Sequence, residues 1–413
     1  MPSVGAQPVT AEDAARAADA IRGLVRDTPI VESGELSRRV GAPVSLKAES
    51  LQLTGSFKIR GASYKLSRLG PDQRAAGVVA ASAGNHAQAV ALAANRLGVA
   101  STLCMPEGAA LAKVAAVRQY GGEVRFVPGS YEEAGELARE LADGGMTLVH
   151  AFDDPDIVAG QGTLGLEIAA SLPGARLVVV PLGGGGLASG IAIAVKSRLE
   201  DVRVVGVQAE GFAPYVSSIA DNRQIGAPSA RTIADGIAIK RPGELTLALV
   251  ERYVDEVVTV TDDEIAQAMV LLVERAKLVV EGAGAAAVAA LMQDRVAPPS
   301  SGSVCAVVSG GNVDASLLAE CIRLGETAAA RRIVLSTVVP DRPGALAGLL
   351  RVVAAEGANV VDVEHLRDGV DLHVRETAIQ LVLQTDGREH CERLLEAVRN
   401  EGFRIRVQTQ RPA

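Results

Sequence analysis

In the stretch LTGSFKIRGASYKL, Leu53 to Leu66, a lysine follows a phenylalanine at what reads as a helix start, with Gly55 and Gly61 on either side. An amine enclosed by protein loses solvation, its pKa falls, and its neutral form can condense with an aldehyde. Lys58 is therefore a candidate nucleophile and Phe57 a wall for a flat ring, in a chain with only five Phe, five Tyr and no Trp. SAGNHAQA, Ser82 to Ala89, falls at a strand-to-helix junction. There Ser82, Asn85, His86 and free backbone N–H groups suit a carboxylate, and Asn85 also suits a phenolic oxygen. In PLGGGGLASG, Pro181 to Gly190, four consecutive glycines let backbone close on a phosphate ahead of a helix dipole. This is neither GxGxxG nor a P-loop, which disfavours a dinucleotide or ATP. VVSGGN, Val307 to Asn312, places Ser309 at a strand end, where its hydroxyl offers a ring nitrogen a neutral hydrogen bond. An aspartate there would hold a pyridine protonated as a stronger electron sink, so serine favours elimination over transamination. Each piece alone also reads as plain structure: a helix lysine, a capped helix, a loop, a turn.

Positioning these groups requires a framework, and the chain alternates apolar β-type runs with alanine-rich helical stretches. Thr10 followed by Glu12 and Asp13 opens a helix expected to reach about Arg26. Strands are expected at 44–49, 77–82, 100–105, 123–127, 147–150, 176–181, 202–208 and 303–309. Helices are expected from about Phe57, His86, Leu111, Tyr131 and Ile157, and after the glycine run. Continuous apolar strands separated by helices imply parallel sheets covered on both faces. Breaks near 50 and 150 suggest two α/β lobes, the smaller (about 50–150) inserted in the larger, with a cleft between them. After about Leu324 the character changes. GETAAARR, with residues 325–331, reads as a link, followed by strand 332–340, helix 344–357, strands 359–367 and 376–385, helix 388–400 and strand 403–409. That βαββαβ order is the ferredoxin-like arrangement, so the expected division is a catalytic domain at 1–324 and a small domain at 332–413.

Composition narrows the function classes. With 41 basic and 49 acidic residues, the formal charge of −8 argues against nucleic acid or an anionic membrane as partner. No apolar run approaches the ~20 residues of a spanning helix, and the N-terminus lacks a signal pattern. Cys104, Cys305, Cys321 and Cys391 lie far apart with no CxxC spacing. They read as free thiols in a reducing compartment, and the cytoplasm is expected.

GSFKIRGA, SAGNHAQ, GGGGL and SGGN, in that order, resemble the fold-type II (tryptophan synthase β-like) pyridoxal-phosphate enzymes of the threonine/serine dehydratase group. TIADGIAI…RPGELT (232–246) and EGAGA (281–285) match the group too, and the tail with DRPGAL (341–346) resembles an ACT regulatory domain. By that resemblance Lys58 is the Schiff-base lysine and the base for the substrate α-proton. Phe57 borders the cofactor, Asn85 meets its 3′-oxygen, Gly183, Gly184, Gly185, Gly186 and Leu187 bind its phosphate, and Ser309 faces its pyridine nitrogen. Ser82, Ala83, Gly84, Asn85 and His86 form the loop for the substrate carboxylate. The implied reaction removes the α-proton and β-hydroxyl of L-threonine or L-serine and yields a 2-oxo acid and ammonia. The cofactor phosphate is a donor for the departing hydroxide.

Two positions depart from relatives. Serine racemases of the group carry a serine at the place of Ala83, so elimination is favoured over racemisation. Gln208 stands where some relatives have a metal-binding carboxylate, with Phe212 and Pro214 beyond, so no divalent metal is expected. A monovalent cation held by backbone carbonyls stays open. The resemblance implies a homo-oligomer (dimer or tetramer) and an amino-acid effector on the tail, with isoleucine first. A serine or 3-hydroxyaspartate dehydratase or racemase on this scaffold, and a non-catalytic amino-acid sensor, are the alternatives.

Overall fold

The computed structural model describes residues 9–227, 231–366 and 372–407. The chain divides into two compact units, Met1–Asp314 and Ala315–Ala413.

In the first unit, β1 (Ile30–Glu32) and β2 (Val44–Ala48) lead into the small lobe, which holds β3 (Val78–Ala81), β4 (Ser101–Pro106), β5 (Glu123–Val127) and β6 (Thr147–Leu148). The chain then returns through β7 (Ala175–Pro181), β8 (Arg203–Ala209), β9 (Glu256–Val260) and β10 (Ser303–Val308). The small lobe's sheet has the order β5-β4-β3-β6 and is parallel throughout. The large sheet has the order β1-β2-β10-β7-β8-β9, parallel except for β1. β2 is buried at all five positions and β7 at six of seven, as expected of strands covered on both faces. Val178, Val180, Leu182, Ile191, Val204, Cys305 and Val307 form much of the large lobe's core.

The order β2-β10-β7 makes the site. These three strands are parallel neighbours, so the segments leaving their C-terminal ends, which carry Lys58, Ser309 and the glycine run, emerge side by side. Ligands of open α/β sheets bind at such carboxyl ends.

In the second unit, β11 (Arg332–Pro340), helix Ala345–Ala355, β12 (Asn359–Leu366), β13 (Glu376–Gln384), helix Arg388–Asn400 and β14 (Ile405–Val407) realise the expected βαββαβ order. Its sheet is antiparallel with order β12-β13-β11-β14, and Leu335, Leu349, Val353, Ile379, Leu381, Leu394 and Val398 pack as its core.

Three expectations need correction. The first helix spans Ala11–Ala20, short of Arg26, because the chain turns at Ile21 and passes through Gly23 at φ +80°. Residues 325–328, expected as the start of a link, are the last turn of a helix Ala315–Ala328 that begins the second unit. Alanine, leucine and glutamate make that segment a good helix former, and it ends before Ala330, which sits at φ +52°. Finally, β14 begins at Ile405 rather than at residue 403. Residue 367 and residues 408–409 of the expected strands lie outside the described residues.

Candidate active site

The Lys58 loop is stitched to the end of β10 by main chain. Phe57 N donates to Ser309 O at 3.1 Å, Gly311 N donates to Gly55 O at 2.8 Å, and Ser56 bridges Gly310. Lys58 is the first residue of the helix Lys58–Ser67, and its Nζ lies 5.2 Å from the Phe57 ring centre. Nζ donates to the Ala151 carbonyl at 2.9 Å. Burial pushes the amine down to about 8, against the pull of Glu281. It opens into a cavity of about 950 Å³ whose lining includes Phe57, Ser82, Asn85, Gly183–Gly186, Glu281 and Ser309.

Opposite stands the turn after β3. Gly84 N–H donates to Ser82 Oγ at 3.1 Å, and the helix Asn85–Leu97 starts from Gly84 with no side-chain cap. Its first N–H groups therefore lack intrahelical partners and face a region suited to an anion. Ala83 is part of the same lining. His86 differs from expectation in one respect: its ring lies 2.8 Å, through Nε2, from the Val149 carbonyl. A carbonyl only accepts, so Nε2 carries the proton. Burial, with the Lys58 charge adding, pulls the ring down to about 3. It is neutral, so its imidazole supplies no positive charge for a carboxylate, and the anion-suited donors here are the backbone N–H groups and the Ser82 hydroxyl.

The glycine run Gly183–Gly186 leaves β7 and enters the helix Gly186–Lys196. Gly185 sits at φ +90°, where a side chain would also meet the Tyr215 hydroxyl. A Cβ on Gly184 would collide with the Phe152 ring. The cup thus consists of backbone and the N-terminus of a helix. Tyr215 Oη donates to Gly184 O at 3.0 Å and lies 3.1 Å from Thr246 Oγ1, which donates at 3.1 Å to Asp153 Oδ1. Leu187 and Ser309 are buried beside the cup and at the end of β10.

Several site groups escaped the sequence reading. The loop His150–Asp154 is one: Ala151 holds Lys58, Phe152 covers Gly184, and Asp153 accepts from Glu244 N and Thr246 N. The acid pair in AFDDPD after a strand was its only sequence signal. Glu281 is another. It is buried, burial raises it to about 7, and it accepts from Asn85 Nδ2 at 2.7 Å. Among the described residues no cluster of three or more His, Cys, Asp or Glu could hold a metal ion, and no helix is long and apolar enough to cross a membrane.

Residues 21–310 match the family model described as "Pyridoxal-phosphate dependent enzyme". The chain belongs to that family. Residues 333–400 match the ACT domain. An L-threonine ammonia-lyase of Thermotoga maritima is 42% identical over 400 residues, 97% of this chain and 99% of that protein. A catabolic L-threonine dehydratase of Staphylococcus aureus (strain N315) is 42% identical over 321 residues, 77% of this chain and 93% of its own. Among solved structures, a threonine deaminase from T.th. superposes with a TM-score of 0.69 at 38% identity, over 73% of this chain and 98% of that one.

The residues fit pyridoxal phosphate. An amine held down to about 8 faces a cup whose backbone packs too closely on Phe152 and Tyr215 to admit a side chain at Gly184 or Gly185, and a serine rather than an acid ends β10. Because the amine titrates near 8, capture of pyridoxal phosphate by the apoprotein should speed up roughly tenfold per pH unit below 8 and level off above it. Rapid-mixing absorbance would check this. A rate still climbing toward the ordinary lysine range would contradict the burial of Lys58.

Proposed function

We propose that this enzyme eliminates water from L-threonine, that water then hydrolyses the released aminocrotonate to 2-oxobutyrate and ammonia, and that it also accepts L-serine. The supporting observation is Lys58, a partly neutral amine on the cleft floor, between an uncapped helix start and a glycine cup. It is joined by 42% identity over almost the whole chain to an L-threonine ammonia-lyase. Pyridoxal phosphate, when bound, supplies the electron sink for the bonds at the substrate α-carbon. Gly183 to Leu187 and the helix N-terminus hold its phosphate, Ser309 faces the ring nitrogen and Asn85 the ring oxygen. Ser82 and the N–H groups of Asn85 and His86 bind the substrate carboxylate and turn the α-proton toward Lys58, whose neutral amine accepts it. Ala83 has no hydroxyl to return a proton from the other face, which favours elimination over racemisation. The β-hydroxyl then departs into a cleft narrowed by ion pairs between the lobes, Lys113–Asp235 and Lys240–Glu132. Steady-state assay of 2-oxobutyrate and pyruvate from L-threonine and L-serine tests the proposal. Absence of both products from the pyridoxal-phosphate-loaded protein would overturn it.

The ACT domain carries the control. The loop at Asp341 precedes the N-terminus of the helix Ala345–Ala355, and residues 325–413 contain no lysine, so the tail supplies no Schiff-base amine for the elimination. We take isoleucine as the effector, acting on a dimer or tetramer in the cytoplasm, where the free cysteines stay reduced. Coupling of this kind is typically ~1–3 kcal/mol. Removing the residues after Ala330 should leave a coloured enzyme that deaminates threonine without responding to isoleucine. Retained inhibition in that truncated protein would place control in the catalytic unit.

A further inference from the structure

Asn85 can serve a ring oxygen only if its amide nitrogen, not its oxygen, points the right way. An asparagine amide is nearly symmetric in shape, so something must choose its orientation. The Thr54 carbonyl can only accept, and Asn312 Nδ2 lies 2.8 Å from it. Asn312 therefore turns its nitrogen to this side, and the same nitrogen donates to Asn85 Oδ1 at 2.6 Å. With its oxygen thus engaged, Asn85 turns Nδ2 to Glu281 Oε1 at 2.7 Å and keeps its second N–H for a ligand. Gly55 makes room for this arrangement: a Cβ there would come within 2.5 Å of Asn312 Oδ1, and its φ of +70° suits glycine.

We infer that Asn312 is a positioning residue whose hydrogen bond to Asn85, anchored on the Thr54 carbonyl, makes Asn85 a donor toward the ring oxygen of the bound cofactor. The inference rests on the reading that Asn85 meets that oxygen. A donor there favours the oxygen's ionised form, and hence the visible absorbance band of the bound cofactor. Reversing the chain disfavours it.

Asn312→Asp keeps size and shape but offers no N–H when ionised. Asn85 then turns its nitrogen to the new carboxylate and its oxygen to the ligand. Asn312→Ala only removes the restraint, and Glu281 still holds Asn85 Nδ2. The variants are purified with pyridoxal phosphate at mildly alkaline pH. Spectra are recorded at equal cofactor content and cofactor affinity is titrated, with Asn85→Ala alongside. The visible band should be lost more completely in Asn312→Asp than in Asn312→Ala. Cofactor affinity should weaken by roughly tenfold in the aspartate variant, the scale of one lost hydrogen bond to a charged group. A role in packing alone would give the opposite order, since aspartate is isosteric, and that result or unchanged spectra would overturn the inference. If Asn312→Asp does not fold, Asn312→Ala decides: a reduced visible band at full cofactor occupancy supports the inference, and an unchanged one overturns it. An unchanged Asn85→Ala spectrum would instead remove the underlying reading of Asn85.

Discussion

Lys58→Ala should yield a folded protein that binds pyridoxal phosphate and forms almost no 2-oxobutyrate. The substitution removes the amine that the cleft floor brings against Ala151, Phe57 and the cup. Loss of a positioned acid–base group costs about 10²–10⁴ in rate, and loss of the covalent anchor adds to that, so kcat should fall by at least about 10⁴. The fold should survive, because the lysine makes one hydrogen bond and its side chain opens into the cleft. The sign of the stability change is also fixed. Burial lowers the Lys58 amine from 10.5 to about 8, so the unfolded chain binds its proton more readily than the folded apoprotein does. The resulting destabilisation grows as pH falls from 10.5 to about 8 and is fully present below that. Alanine removes it, and the apo variant should melt no lower than the parent at neutral pH. Borohydride treatment followed by mass analysis should fix pyridoxal on the parent protein and not on the variant. Threonine turnover within tenfold of the parent would refute the assignment.

What could be read beforehand follows the range of the interactions. β7 announced itself because a strand covered on both faces must be apolar at nearly every position. The three-residue β1 and the half-exposed edge strand β9 carry no such signature, since IVE and EVVTV also suit a turn or a surface strand. The end of the helix Ala315–Ala328 reads as a link because GETA carries no large apolar residue to continue the stripe of Leu317, Leu318, Cys321 and Ile322. Within the site, the glycine run and Lys58 are marked by residue type next to neighbours in sequence. Ala151 contributes a carbonyl, which any residue has, so nothing in its identity points to Lys58. Asn85 and Asn312 are separated by 227 positions, and only the order β2-β10-β7 and the lobe-to-lobe closure bring them together. His86 reads as a carboxylate partner from its place in SAGNH, yet its burial against Val149 makes it neutral.

Arg60→Met should be the most destabilising single change on the helix that carries Lys58. Arg60 is fully buried two residues after Lys58, and its guanidinium grips Glu49 through Nε and Nη2, both at 2.8 Å. It also donates to Glu167 at 3.0 Å, Thr163 Oγ1 at 3.2 Å and Arg26 O at 3.2 Å. Lys47, itself buried, pairs with Glu167 at 2.6 Å, so two bases balance two acids largely out of reach of water. Methionine matches the stem but leaves two carboxylates facing one ammonium, with Glu49 retaining only Thr28 as a side-chain partner. Breaking such a buried pair costs about 3–5 kcal/mol, because the orphaned charge stays desolvated. The excess cost lies in Glu49 rather than in the lost arginine. Hence Glu49→Gln combined with Arg60→Met should be less destabilised than the sum of the two single variants in denaturant titration. Arg60→Lys should not rescue, since a single ammonium cannot hold Glu49 bidentately while also reaching Glu167 and Arg26. Because the network anchors the helix behind Lys58, the Arg60→Met apoprotein should also capture pyridoxal phosphate more slowly at every pH. A cost below about 1 kcal/mol for Arg60→Met would mean that water reaches Glu49 readily, contrary to its complete burial.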